Sequence, residues 1–238
     1  MDTSKLPRAR VAARRDLTDD LFVLWLDPPF QHDFQPGQYC TVAMEGIARP
    51  YSIVSAPHEE LIELFIERIP EPDGKLTPLL HGLQVGDELA MAPKIKGHFT
   101  LDPSKPNQVL IATVTGIAPF VSYLRDYIAR GLSGQRFLAM LGASYQQDLA
   151  YGDELQALAA EHDFIDFVPT VSRPDEQPNA GWQGETGRVN KQVGKYLDEY
   201  GFSPEKTILY ACGNPQMIAD VRENFEPLGY DFREEKYW

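Results

Sequence analysis

The sequence predicts a two-part fold: an N-terminal antiparallel β-barrel, then a parallel-sheet α/β domain with helices on both faces. Three observations carry this reading. Up to residue 103, short β-rich runs are parted by turn signals and interrupted by one short helical stretch. Beyond residue 103, apolar strands alternate with stretches of helical periodicity, as a parallel sheet with crossover helices requires. The texture changes at Asp102-Pro103-Ser104-Lys105-Pro106, where proline and polar residues interrupt both patterns. The expected domains are therefore 1–103 and 104–238.

Residues 21–26, Leu-Phe-Val-Leu-Trp-Leu, form a short apolar run between acidic and Pro-rich turns. Residues 38–43 follow the Pro36-Gly37 turn, and residues 61–67 mix alternation with a β-rich composition. Residues 77–83 read as the short helix. In the second part, residues 109–113, 137–142, 165–171 and 208–211 read as strands. Phe120, Leu124, Tyr127 and Ile128 recur at helical spacing after the first of these, and Met217, Ile218, Val221 and Phe225 after the last. Residues 174–187, rich in Pro, Gly, Asn and Gln, read as a long loop.

Composition narrows the function. With 43% hydrophobic and 24% charged residues, the chain is an ordinary globular protein. No stretch nears the roughly 20 apolar residues that span a bilayer, so membrane insertion is not expected. The N-terminus lacks an apolar signal core, and the two cysteines, Cys40 and Cys212, suit a reducing cytoplasm. Two cysteines cannot build a four-cysteine iron–sulfur site, and His32, His58, His81, His98 and His162 show no metal-ligand spacing. A net charge of −13 argues against nucleic acid. Arg8, Arg10, Arg14 and Arg15 form a local basic cluster, read either as a partner-docking patch or as the protected edge of a sheet.

Five segments carry chemistry. In the extended run Arg49-Pro50-Tyr51-Ser52, Arg49 and Tyr51 share one face and Ser52 takes the other. Gly74-Lys75-Leu76-Thr77 precedes Pro78 and signals a capped helix start, which is either a plain cap or an anion site. Thr115-Gly116-Ile117-Ala118-Pro119 leads from a buried strand into a helix, the context of a dinucleotide phosphate loop. Cys212-Gly213-Asn214, with Pro215, makes a second strand-to-helix turn. The terminal Glu235-Lys236-Tyr237-Trp238 ends on two large aromatics, which are wasted unless docked.

Taken together and in this order, the Arg49, Thr115, Cys212 and terminal segments resemble the ferredoxin–NADP⁺ reductase family; the terminal Glu-x-Tyr-Trp is similar to its bacterial branch. The resemblance implies that FAD binds residues 1–103 and NADP(H) binds residues 104–238. Arg49 would hold the FAD diphosphate, Tyr51 would stack on the flavin and Ser52 would lie near its N5, with Pro50 between them. An arginine suits a diphosphate because its planar fork donates bidentately. Gly74, Lys75, Leu76 and Thr77 would serve the same diphosphate. Thr115, Gly116, Ile117, Ala118 and Pro119 would cradle the nicotinamide nucleotide. Cys212, Gly213 and Asn214 would place the nicotinamide, with Ser52, Cys212 and Glu235 at the reacting centre.

By the same resemblance, Ser172-Arg173 and Arg188 supply cations for the 2′-phosphate, a role that surface solubility alone would also explain. Two positions depart from the family pattern: Val114 stands where glycine is usual, and Ser144 where a third arginine is common. Tyr237 would stack on the flavin and move aside for the nicotinamide, and Trp238 would lie toward the adenine. The implied activity is hydride exchange between NADPH and FAD and single-electron exchange with a separate ferredoxin or flavodoxin. Alternatives are the reductase component of an oxygenase, a free-flavin reductase, or a non-catalytic flavin-binding module.

Overall fold

The computed structural model describes residues 3–236. The chain forms two compact units. One runs to Leu101 and also takes in Ala118–Gly131; the other comprises Asp102–Ile117 and resumes at Leu132.

The first unit is built from β1 (Arg8–Asp16), β2 (Leu21–Asp27), β3 (Tyr39–Met44), β4 (Ile47–Ser52), β5 (Ile62–Glu67), the short helix α1 (Thr77–Gly82) and β6 (Glu88–Met91). All pairings are antiparallel, in the order β4-β3-β6-β1-β2-β5. A bridge from Ile53 to Leu64 ties the residue just after β4 to β5. The two ends of the strand order thus meet, and the sheet closes as the expected barrel. Alternate side chains of each strand fill the interior: Val11, Phe22, Leu24, Leu26, Cys40, Val42, Ile62, Leu64 and Ile66 are all buried in one cluster with Leu76 and Leu80 of the α1 region.

β1 corrects an expectation. Its arginines do not protect a sheet edge, because β1 lies between β6 and β2 and is paired on both sides. Arg14 is largely withdrawn from solvent, with 9% of its side chain exposed. Its Nη1 donates to the carbonyls of His81 and Leu83, both at 2.6 Å, satisfying acceptors left open where α1 ends. Asp16, which receives the other side of the same guanidinium, is held below the usual carboxylate range by that hydrogen bond. Arg10 pairs with Asp27, and Arg15 lies over the Trp25 ring.

The second unit carries β7 (Asn107–Thr113), which is followed by α2 (Ala118–Ala129), a helix that groups with the first unit. Then come β8 (Arg136–Ala143), α3 (Gly152–Glu161), β9 (Ile165–Val171), β10 (Glu185–Thr186), α4 (Val189–Tyr200), β11 (Thr207–Gly213), α5 (Pro215–Phe225) and β12 (Asp231–Lys236). Every neighbouring pair is parallel, in the order β10-β9-β8-β7-β11-β12. Val109, Ile111, Leu138, Met140, Leu209 and Ala211 pack one face of the sheet against Val193 and Leu197 of α4 and Ile218 and Val221 of α5. Leu110, Ala112, Ala139, Leu141 and Tyr210 take the alternate positions and are fully buried too. Strands buried on both faces explain why these segments read as continuous apolar runs.

The chain passes outward through β7, β8, β9 and β10, then returns to the far side of β7 for β11 and β12. The strand order therefore reverses between β7 and β11. In open parallel sheets, that reversal leaves a crevice beyond the C-terminal ends of the two strands, where ligands bind.

Candidate functional site

The loops at this reversal are the ones the sequence singled out. After β7, residues Val114–Ile117 form a tight 3₁₀ turn that leads straight into α2. After β11, Gly213 adopts φ +115° and Asn214 caps α5, its side chain accepting from the N–H groups of Gln216 and Met217. Pro215 then fits the first helical turn. The two turns are tied together: Thr113 Oγ1 accepts from the Asn214 N–H at 2.8 Å. A Cβ at Gly116 would overlap the Cys212 carbonyl, and one at Gly213 would overlap the Thr113 side chain. Both glycines are needed for this backbone approach.

Val114 is the anomaly of the loop. Its φ is +44°, in the left-handed region where a β-branched residue is a true outlier. The backbone thus keeps a glycine-like conformation although the residue is valine. Thr115 is half-buried, while Gly116, Ile117, Ala118 and Pro119 are buried.

Parallel pairing between β11 and β12 sets Cys212 opposite Glu235 and Gly213 opposite Lys236. The thiol and the carboxylate named from distant parts of the sequence are thus register neighbours at the end of the sheet. Cys212 is fully buried and forms no disulfide. Tyr237 and Trp238 lie outside the described residues.

In the barrel, Arg49, Pro50, Tyr51 and Ser52 form the last four residues of β4, with Arg49 opposite Val42 and Tyr51 opposite Cys40. The guanidinium of Arg49 is exposed and donates to the Ala48 carbonyl at 2.8 Å. Tyr51 is half-buried, and burial raises its phenol pKa well above the ordinary range, against a lowering by Arg49. The Cys40 thiol, on the neighbouring strand, is pushed up to about 12 by burial. Both groups therefore stay neutral at physiological pH. Ser52 is buried, on the opposite side of the strand from Arg49 and Tyr51.

The helix start at Thr77 departs from the expectation. Thr77 is the first helical residue, not the cap; Leu76 holds the cap position without a side-chain bond. The Thr77 hydroxyl is engaged with Ile69, accepting from its N–H at 2.9 Å and donating to its carbonyl at 3.2 Å. Gly74 is buried against that same Ile69 carbonyl, while Lys75 is exposed. The hydroxyl that reads as a helix cap instead closes the 69–77 loop on itself.

The loops after β8 and β9 hold the expected phosphate-reading positions. Ser172 N–H donates to the Ala143 carbonyl, and Arg173 is exposed beside Tyr145 and Glu176. Arg188 is exposed at the cap of α4. Sequence reasoning missed Tyr145, Glu176 and Asn179, which surround Arg173. The available signals were short-range ones: Tyr145 directly follows Ser144, and Glu176 stands three residues after Arg173.

Among the described residues, no group of His, Cys, Asp or Glu has the arrangement of a metal site, and no helix is long and apolar enough to cross a membrane.

A sequence profile of the oxidoreductase NAD-binding domain matches residues 110–223. Ferredoxin–NADP reductase B of Sorangium cellulosum is 33% identical, the match covering 80% of this chain and 78% of that protein. The flavodoxin/ferredoxin–NADP reductase of Shigella flexneri is 30% identical over 90% of this chain and 87% of its own. Other relatives are longer: the chain spans 64% of RfbI of Salmonella typhimurium and 49% of a component of the Na⁺-translocating NADH–quinone reductase of Pasteurella multocida. Among solved structures, a ferredoxin NADP⁺ reductase from Neisseria gonorrhoeae with bound FAD and NADP superposes with TM-score 0.85 at 24% identity, covering 98% of this chain and 99% of that one.

Proposed function

We propose a function from one premise: this chain belongs to the ferredoxin–NADP⁺ reductase family. It is an FAD-dependent, NADP-linked oxidoreductase that exchanges a hydride with NADP(H) and single electrons with a ferredoxin or flavodoxin. FAD is assigned to residues 1–103 and NADP(H) to residues 104–238, with α2 grouped in space with the first unit. When bound, FAD supplies acceptance of a hydride and release of electrons one at a time.

The observation that carries the reading is the coincidence at the strand-order reversal. Gly116, Cys212 and Gly213 meet there, backbone on backbone, and Glu235 stands in register with Cys212. Nothing in the packing of a parallel sheet requires that these particular groups gather at the one crevice favoured for nucleotides. Cys212 is read as a positioning group for the nicotinamide, and its burial suits that role better than nucleophilic chemistry, which needs an accessible thiolate. Asn214 fixes the start of α5, and so the direction in which the Cys212 turn faces.

The donor chemistry in the barrel supports FAD. Arg49 offers an exposed fork for a diphosphate, and Tyr51, two residues on along the same face, offers a neutral aromatic surface. Thr77 contributes less than the family resemblance implies, because its hydroxyl is already used by Ile69. Lys75 is the exposed cation of that segment. Arg173 and Arg188 are read as the groups that meet the 2′-phosphate, with Ser144 leaving the pair without a third cation. The two cysteines, buried and outside any disulfide, suit a reducing cytoplasm.

The reaction is tested with NADPH and separate acceptors. The expected result is rapid NADPH-dependent reduction of a ferredoxin or flavodoxin, with the flavin retained by the protein throughout. Reduction confined to freely exchanging FMN or FAD would make the chain a free-flavin reductase instead.

A further inference from the structure

The loops after β8 and β9 hold a closed set of contacts around Arg173. The Tyr145 hydroxyl donates to Glu176 Oε2 at 2.6 Å and accepts from Arg173 Nη1 at 2.9 Å. The same guanidinium lies 5.5 Å from the centre of the Tyr145 ring and 3.7 Å from Glu176 Oε1. The arginine is thus already matched by a phenol and a carboxylate. Asn179, only 2% exposed, keeps the set in place. Its Nδ2 donates to the carbonyls of Ser144 and Arg173, and its Oδ1 accepts from the N–H of Gln146. Gln146 reaches back to the Pro178 carbonyl at 2.7 Å. A buried amide with three hydrogen bonds fixes the two loops against each other, and so fixes the carboxylate beside the cation.

We propose that Glu176 sets how strongly this chain discriminates NADPH from NADH, by holding the guanidinium that a ribose 2′-phosphate needs. The proposal rests on the reading of Arg173 as a 2′-phosphate ligand. A 2′-phosphate carries nearly two negative charges. To reach Arg173 it must displace a carboxylate and then remain next to it. A 2′-hydroxyl is neutral and can donate to that carboxylate. The two nucleotides therefore meet Glu176 with opposite consequences: repulsion for the phosphate, a hydrogen bond for the hydroxyl. Arg188 is exposed at the cap of α4, outside this set of contacts.

The experiment compares the native flavoprotein with Glu176→Gln and Arg173→Gln. Glutamine keeps an acceptor for the Tyr145 hydroxyl and removes only the charge. Two readouts are taken: calorimetric Kd for 2′,5′-ADP and for ADP, and the ratio of kcat/KM for NADPH over NADH. Glu176→Gln should tighten 2′,5′-ADP binding about fivefold, the size expected for a part-exposed charge pair, and raise the NADPH:NADH ratio with it. Arg173→Gln should lower both. If Arg173→Gln lowers both while Glu176→Gln leaves them unchanged or lower, the role of Glu176 is overturned and the phosphate reading stands. If Arg173→Gln changes neither, the phosphate reading itself fails, and the proposal falls with it.

Discussion

Val114 is a β-branched residue held at φ +44°, at the start of the turn that leads from β7 to α2. A left-handed backbone costs an ordinary L-residue about 1–2 kcal/mol, and crowding at Cβ makes valine a poor choice. The turn keeps this conformation because Gly116 must pass the Cys212 carbonyl, which fixes the path of the loop. A sign test follows from comparing two small replacements. In an ordinary backbone conformation, alanine is more stabilising than glycine by about 0.5–1 kcal/mol. At a left-handed position the order inverts. Val114→Gly should therefore melt above Val114→Ala, by a margin of about 1 kcal/mol. Thermal unfolding of the two flavoproteins decides it, and a higher midpoint for the alanine variant would show that the position carries no strain. The departure from glycine at 114 was visible in the sequence; the backbone angle was not, because only the closure of Gly116 on Cys212 imposes it. The same limit applied to Thr77. A threonine before a proline reads as a cap, yet the Ile69 backbone, eight residues earlier, claims the hydroxyl.

At the scale of elements, α2 follows the turn after β7 in sequence yet belongs to the first unit in space. A polar anchor within that unit explains it. Arg125 donates to Glu63 Oε2 at 2.6 Å, and Glu63, on β5, has a side chain only 2% exposed. Ser122, one turn earlier on the helix, donates to the Ser55 carbonyl at 2.8 Å, and Ser55 Oγ accepts from the Glu63 N–H. Removing one partner of a buried ion pair costs about 3–5 kcal/mol. Arg125→Ala should lose stability of that order in denaturant unfolding, and Arg125→Met combined with Glu63→Leu should recover most of it. Equal losses in the single and double variants would mean that packing of the arginine stem, not the buried charge, holds α2. Apolar segments such as 137–142 were legible because burial on both faces leaves a continuous signal. β1 and β12 were less so. β1 carries four arginines, Arg8, Arg10, Arg14 and Arg15, and one reading of it is an exposed edge; it is interior, paired with β6 and β2 on its two sides, and Arg14 turns inward onto carbonyls at the end of α1. β12 is charged at Arg233, Glu234 and Glu235, and becomes a strand only by pairing with β11.

For the whole molecule, the sequence order of the two parts and the reversal of strand order between β7 and β11 together define the account. The overall pattern of a barrel followed by a parallel sheet was legible from periodicity, since each architecture has its own repeat. The phosphate-reading loops were only half legible: Arg173 stands out in the sequence with Glu176 three residues on, but Tyr145 joins them from the loop after β8 through long-range hydrogen bonds that no local pattern encodes. The net charge of −13 bears on the acceptor at this scale. On the proposed function an acidic electron carrier would approach through a local basic region, and Arg8, Arg10 and Arg15 are the exposed members of the β1 cluster, whereas Arg14 is consumed internally. On the proposed function, bound FAD in this chain takes electrons from NADPH. The most direct test is an anaerobic titration of the purified flavoprotein with NADPH, following the flavin absorbance and identifying the released flavin afterwards. The expected result is FAD as the bound flavin and full bleaching at about one NADPH per FAD, the stoichiometry of a single hydride. A tightly bound flavin that stays oxidised with both NADPH and NADH would contradict it.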